Sequence, residues 1–282
     1  MKKLAAIVTD AVSADFYFPL FHRYYSHLFG AENIFIITGH QFPSAFADFV
    51  LGGVFRFGTY NNNDRCSTVS ALTSLLLQTY KFVLHVDTDE FLVADPRKFL
   101  NLRHFLETDP PAYVTAMGYN VVSQPSDSPL ERKRPILANQ RPFCCPYDAL
   151  NKTCITSIPL TWAPGFHFAS VWPAFSDVFL FHLKYADIDM QLSIGAMVAA
   201  ESDQPLFQEY HASSRQKLEA MMASIFSFPT ASGWPDFVRT EYNRRFISAV
   251  RYVSGFGGVY HGGEFQPETI RLAIPDEFAA CL

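Results

Sequence analysis

Short runs of β-forming residues alternate with longer stretches of helical spacing from the first residues onward, and this alternation narrows the chain to a βαβ architecture with a mainly parallel sheet. Leu4–Thr9 reads as the first strand, Asn33–Thr38 as the second, Gly53–Phe57 as a weaker third and Tyr80–Val86 as a buried fourth. Over Phe16–Phe29 the residues Phe16, Leu20, Phe21, Tyr24 and Leu28 recur at helical spacing, and Gly30 follows as a stop signal. After Asn61-Asn62-Asn63, Asp64 is the expected N-cap of a helix running to Gln78. Further on come a helix over Arg97–Glu107, a strand over Ala112–Val122 and a proline-rich loop over Ser123–Asp148. Loops of that length in compact domains are often functional. Strand-like pieces return at Cys154–Ile158, Gly165–Ala169 and Asp177–His182, and helical patterns at Ile188–Ala200, Ser214–Phe226 and Asp236–Val253.

Composition limits the function classes. Hydrophobic residues make up 49% of the 282 residues and charged ones only 17%, so a large core is available and global disorder is excluded. The net charge of −5 argues against broad binding to nucleic acid, which needs clustered Lys and Arg to displace counterions from phosphates. No apolar run approaches the length needed to span a bilayer, and the apolar stretch after Met1-Lys2-Lys3 ends at Asp10, too soon for a signal peptide. Five cysteines fit neither paired zinc ligation nor a disulfide framework, so reduced thiols and a cytoplasmic location are expected. The sequon Asn151-Lys152-Thr153 is discounted on the same ground.

The fourth strand runs into Asp87-Thr88-Asp89-Glu90-Phe91. Side chains alternate along a strand, so if the backbone remains extended to Asp89, Asp87 and Asp89 face one way and Glu90 the other. Two carboxylates at the carboxyl end of a strand, where open α/β sheets hold their ligands, repel each other unless a cation or protons intervene. Hard oxygen ligands suit Mg²⁺ or Mn²⁺, completed by substrate phosphates. The competing reading is that these acids cap the following segment or face solvent.

The run His85-Val86-Asp87-Thr88-Asp89-Glu90-Phe91-Leu92 resembles the Asp-x-Asp-Glu-Phe signature of family 2-like and family 92-like glycosyltransferases of the GT-A fold. Asp10 after the first strand, His22 and His27 on an aromatic helix, Asn61 and Arg65, Gly165-Phe166-His167 and His182-Leu183-Lys184 follow in the order such enzymes show. The resemblance covers about residues 1–200 and implies a Rossmann-like, mainly parallel sheet flanked by helices. Residues 1–200 would form the nucleotide-sugar-binding domain, with 201–282 a helical extension packed on it.

That resemblance implies a nucleotide-sugar donor, usually a UDP-sugar, and a hydroxyl acceptor, expected to be a glycan. A metal on Asp87 and Asp89 would hold the diphosphate, with His182 as first choice for a third ligand and His167 as second; an imidazole beside two carboxylates favours Mn²⁺ somewhat over Mg²⁺. Lys184, two residues beyond His182, could neutralise the departing diphosphate or be a solvated lysine. Arg65 could reach donor phosphate or pair with an acidic neighbour, and Asp10 could bond uracil or ribose or cap a turn. For an inverting reaction the acceptor needs a base. Asp187 is the first candidate, though equally a helix N-cap, with Asp148 and Glu201 in reserve; no Glu-Asp pair of the family 2 kind is evident. Trp162, Trp172 and Trp234 could face sugar, with core packing the competing use, and Met221 and Met222 belong to an apolar stripe with Leu218 and Ile225. The alternatives are a catalytically silent nucleotide-sugar or glycan-binding protein, and a metal-dependent phosphoesterase or nucleotidyltransferase, which would want further acids for a second metal.

Overall fold

The computed structural model describes residues 2–11, 16–38, 46–56, 61–124, 126–201, 214–231, 234, 243–255, 258–261 and 269–282. It is a mixed α/β fold with a large central sheet flanked by helices, Rossmann-like as expected. The first half of the chain forms β1 (Lys3–Asp10), α1 (Phe18–Phe29), β2 (Ile34–Thr38), β3 (Gly53–Arg56), α2 (Asn62–Leu76), β4 (Tyr80–His85), β5 (Glu90–Ala94) and α3 (Leu102–Glu107). Then follow β6 (Tyr113–Val122), β7 (Phe143–Pro146), β8 (Thr153–Thr156), β9 (Phe175–Tyr185) and α4 (Ile188–Glu201). The rest comprises α5 (Arg215–Ser227), β10 (Thr230–Ala231), α6 (Asn243–Ala249), β11 (Arg251–Val253), β12 (Val259–His261) and β13 (Arg271–Ala273).

Strands follow the order β10-β13-β7-β6-β8-β4-β1-β2-β3, with β9 added on β6 and β5 on β9. β3, β2, β1 and β4 are mutually parallel. Beyond β4 the pairing turns antiparallel through β8, β6, β7 and β13, while β9 runs parallel to β6 and antiparallel to β5. The C-terminal segment is therefore not helical alone: β13 and β10 extend the main sheet from β7.

The inner parallel strands β1, β2 and β4 are apolar on both faces because each face is covered, whereas the edge strand β3 is half-buried to exposed. Ala5 and Ile7 pack with Phe18, Phe21 and Tyr25 of α1, whereas Ala6 and Val8 pack with Cys66, Val69 and Leu72 of α2. Gly30 stops α1 as expected, at a φ of 90° that a side chain disfavours.

Several boundaries differ from the sequence reading. Asn61, not Asp64, caps α2: its side chain accepts from the Asp64 backbone N–H at 2.9 Å. Asn101 likewise caps α3, so that helix starts at Leu102 and not at Arg97. Gly165–Ala169 is not a strand; Gly165 and Phe166 both have positive φ, and only Ala169 makes isolated bridges, to Trp162 and Tyr260. The long loop contains β7, and the last helical pattern resolves into α6 followed by β11, with 236–242 outside the described residues.

All five cysteines are free, and burial pushes the Cys66 thiol up to about 11. Asn151 of the sequon is buried, its Oδ1 accepting the Gly118 N–H at 3.0 Å, so it is closed to modification in the folded chain. Trp234 stacks on Phe181 and Tyr119 in the core, Trp162 is buried, and Trp172 is 43% exposed. Leu218 and Met222 are buried under α5 and Met221 half-buried, the packing use of that stripe. Among the described residues no helix is long and apolar enough to cross a membrane.

Candidate functional site

Strand order reverses between β1 and β4: the chain leaves β1 toward β2 and β3, then returns to place β4 on the other side. Such a reversal opens a crevice at the carboxyl ends of the two strands. Asp10 is the last residue of β1 and Asp87 lies two residues past β4, so both acids stand at that crevice.

Contrary to an extended backbone through Asp89, the strand stops at His85 and the chain turns, with the Glu90 N–H donating to the Asp87 carbonyl at 3.0 Å. The turn feeds β5, which pairs antiparallel with β9 so that Glu90 lies opposite His182. Glu90 does not point away, as an extended strand would require. Its Oε2 accepts the Asp87 backbone N–H at 3.1 Å and its Oε1 accepts from Lys152 Nζ at 2.6 Å.

Lys152 closes a ring, since its Nζ also donates to Asp87 Oδ2 at 3.0 Å. The other Asp87 oxygen, Oδ1, faces Arg65 Nη2 at 3.3 Å, and the same Nη2 donates to Asp10 Oδ1 at 2.7 Å. Arg65 thus does pair with acidic neighbours, and its guanidinium lies over the Phe166 ring at 5.2 Å. Burial pushes the Asp87 carboxyl up, but Lys152 and then Arg65 more than reverse this and hold it well below the usual carboxylate range. Burial likewise disfavours the Lys152 ammonium, yet Asp87 and Glu90 hold it firmly charged. Glu90 is pushed up by burial, against the pull of Lys152.

Asp89 forms a second group. Its Oδ2 lies 3.2 Å from His182 Nε2, while His182 Nδ1 lies 2.8 Å from Asn120 Oδ1 on β6. With Nδ1–H donating to Asn120, Nε2 turns a lone pair toward a carboxylate oxygen. Only a proton or a cation between the two makes that favourable, and a ring oriented through its other nitrogen is the usual setting of a metal-binding histidine. Burial pushes the Asp89 carboxyl up, but His182 outweighs it and Lys184 adds to the lowering.

The remaining predicted residues lie around these groups. His167 donates through Nδ1 to the Ala149 carbonyl at 2.6 Å; burial, then Lys152, pushes it down to about 4, and both Asp87 and His182 act on it. Asp148 opens the short turn Asp148–Leu150 that carries this carbonyl. Asp187 caps α4: Oδ1 accepts from the Met190 N–H at 3.0 Å and Oδ2 from the Leu130 N–H at 2.8 Å. It shares the neighbourhood of Asp89 through Tyr17, whose buried hydroxyl both carboxylates help to keep neutral. Lys184 Nζ lies 5.7 Å from the Tyr185 ring.

Sequence reasoning missed Lys152, Asn120 and His85. Lys152 sat inside a discounted sequon; an isolated lysine beside a strand of Thr, Cys and Ile was the one available signal. His85 is buried, its ring 4.0 Å from that of Phe166, and burial pushes it down to about 3, so it stays neutral. Its Nε2 has no hydrogen-bond partner among the described residues.

Asp10, His85 and Asp87 form a group that could hold a metal ion, their ligand atoms within 4.8 Å of one another. Arg65 already bridges those two carboxylates. Between Asp89 and His182 no such cation intervenes among the described residues. Across the whole site, Asp10 and Asp87 face Arg65, Asp87 and Glu90 face Lys152, and Asp89 faces His182.

No family model matches the chain, and no curated protein matches it. Among solved structures the chain is similar to a mannose-1-phosphate geranyltransferase from Thermus thermophilus, with 12% identity over 79% of this chain and 68% of that one, at a TM-score of 0.29. So slight a likeness assigns no activity.

Proposed function

We propose that the chain is a metal-dependent glycosyltransferase that moves a sugar from a nucleotide-sugar, a UDP-sugar, to a hydroxyl of a glycan acceptor. The observation that carries this reading is the Asp89–His182 pair, oriented by Asn120, standing beside Asp87 at the crevice between β1 and β4. Asp89 and His182 fit one divalent ion, Mn²⁺ somewhat better than Mg²⁺ because one donor is an imidazole. Bound there, such an ion would neutralise charge on the donor diphosphate.

The chain's own residues supply the rest. Breaking the bond between the anomeric carbon and phosphate oxygen leaves positive charge on the sugar ring and negative charge on the nucleoside diphosphate, so cations fixed beside the diphosphate lower the barrier. Lys184 and Arg65 are assigned that role. Asp10 and Asp87, held by Arg65, present carboxylate to the nucleoside end. Asp187 is the first choice to take the acceptor proton: each oxygen accepts one backbone N–H and retains a second lone pair. Asp148, on the turn that holds His167, is the second.

Calorimetric titration with UDP in the presence of Mn²⁺ tests the reading. Asp89→Ala is expected to abolish metal-dependent UDP binding while the protein still melts cooperatively, and His182→Ala should weaken Mn²⁺ binding more than His167→Ala. Equal UDP affinity in parent and Asp89→Ala removes the assignment; release of phosphate or nucleoside monophosphate from nucleotide sugars would instead mark a phosphoesterase.

A further inference from the structure

The two aspartates of the motif do not stand in equivalent surroundings. Both Asp87 oxygens face a protein cation, Oδ1 with Arg65 at 3.3 Å and Oδ2 with Lys152 at 3.0 Å, whereas the ion-pair partner of Asp89 is the imidazole of His182. Lys152 is only 4% exposed and lies immediately before β8, which pairs antiparallel with β4. Its ammonium is therefore delivered by the sheet itself to the end of β4. Glu90 locks it there, accepting from Nζ at 2.6 Å and from the Asp87 N–H at 3.1 Å.

We propose that Lys152 is a positioning residue that acts as a built-in counter-ion, withdrawing Asp87 from the metal's ligand set and leaving a single cation to Asp89 and His182. The proposal rests on the reading of the site as metal-dependent and specifies how that site is divided. A buried ammonium on a carboxylate oxygen competes directly with a divalent ion for the same lone pairs, and moving it away would strand Glu90 as an unpaired buried charge. Asp87 is thus fixed in direction by the protein and remains so with or without metal. A second metal position, which two-metal phosphoryl chemistry requires, is filled by a side chain.

The test is calorimetric titration with Mn²⁺ alone on the full chain. Asp87→Asn is expected to weaken Mn²⁺ binding by less than ~10-fold and Asp89→Asn by ~100-fold or more, the upper range for altering a metal's surroundings. Lys152→Met alone leaves Glu90 unpaired and risks unfolding, so the informative variant is Lys152→Met with Glu90→Gln. This pair of changes removes one charge of each sign, leaves the net charge unaltered and frees Asp87 Oδ2. Mn²⁺ should then bind ~10-fold tighter.

Equal losses in Asp87→Asn and Asp89→Asn, or a double variant that binds Mn²⁺ no tighter than the parent, overturn the division while leaving the metal-dependent reading in place. A parent that binds no Mn²⁺ removes that reading and the division together.

Discussion

The parallel half of the sheet, β3-β2-β1-β4, and the antiparallel half beyond it contribute different things to one crevice. The parallel half brings Asp10, Asp87 and, from α2, Arg65. The antiparallel half, with β9 and β5, brings Lys152, Asn120 and His182. Two of the four acids, Asp10 and Asp87, come from the first, while Asp89 and Glu90 belong to the turn and to β5 of the second, which also supplies Lys152, Asn120 and His182. In the parallel half β1 and β4 are apolar runs that both end at the crevice because they point the same way. In the antiparallel half, arrival at the crevice depends on register: Asn120 meets His182 through a β6–β9 ladder that shifts between Thr115 and Met117 and again between Asn120 and Val122. Geometry in one half follows from direction, in the other from irregularity.

This contrast breaks most readily at Gly118. A Cβ there would collide with Leu150 Cβ and with the Leu150 backbone, so β6 admits the turn leading to Lys152 only because the residue has no side chain. Gly118→Val is expected to cost about 3 kcal/mol, the upper end for overpacking, whereas Ile7→Val in the parallel half should cost about 1 kcal/mol. Urea denaturation of both variants measures the difference, and equal losses would erase the contrast.

Acid should expose the second expected effect. His85 and His167 have folded values near 3 and 4, below the ordinary 6.5, because burial keeps them neutral. Below about pH 6.5 the unfolded chain takes up these protons and the folded chain does not, so stability falls as pH drops toward 4, with an upper limit of about 1.4 kcal/mol per pH unit for each group. Asp87 and Asp89, both depressed, retain their contribution through this window and lose it only at lower pH. Melting temperatures between pH 6.5 and 4.5 should decline less steeply in His85→Phe than in the parent; equal slopes would show that the His85 ring is not held neutral.

The smallest effect is expected away from the crevice. Lys81 and Asp109 form an exposed ion pair at 2.9 Å, and Lys81→Ala should change stability by about 0.5 kcal/mol or less. A larger loss would mean that charge matters to this fold well beyond the crevice.

Legibility followed the same division. The strands Leu4–Thr9, Asn33–Thr38 and Tyr80–Val86 were visible as apolar runs, and they appear as β1, β2 and β4 within a residue or two. Asp10, Asp87 and Asp89 were visible because they interrupt such runs at their carboxyl ends. Arg65 was visible only as a cation near a helix start; its partners lie 55 and 22 residues away along the chain. β5 was hidden because Glu90–Ala94 is too short and too apolar to be told from a continuation of the motif. Asp187 reads in the sequence as either base or cap; it caps α4 through the Met190 N–H and also accepts the Leu130 N–H, and the base role stays a proposal. Lys152 gave no sign of its neighbours, since a lysine's ordinary place is at the surface.

By itself the sequence determined an α/β sheet, the ends of its parallel strands and the presence of acids there, because periodicity and apolar runs are local properties that fix which face is buried. Tertiary structure alone decided which cation meets which acid. That choice rests on antiparallel register and on a turn after His85, and a shift of one residue in a strand sends every side chain to the opposite face.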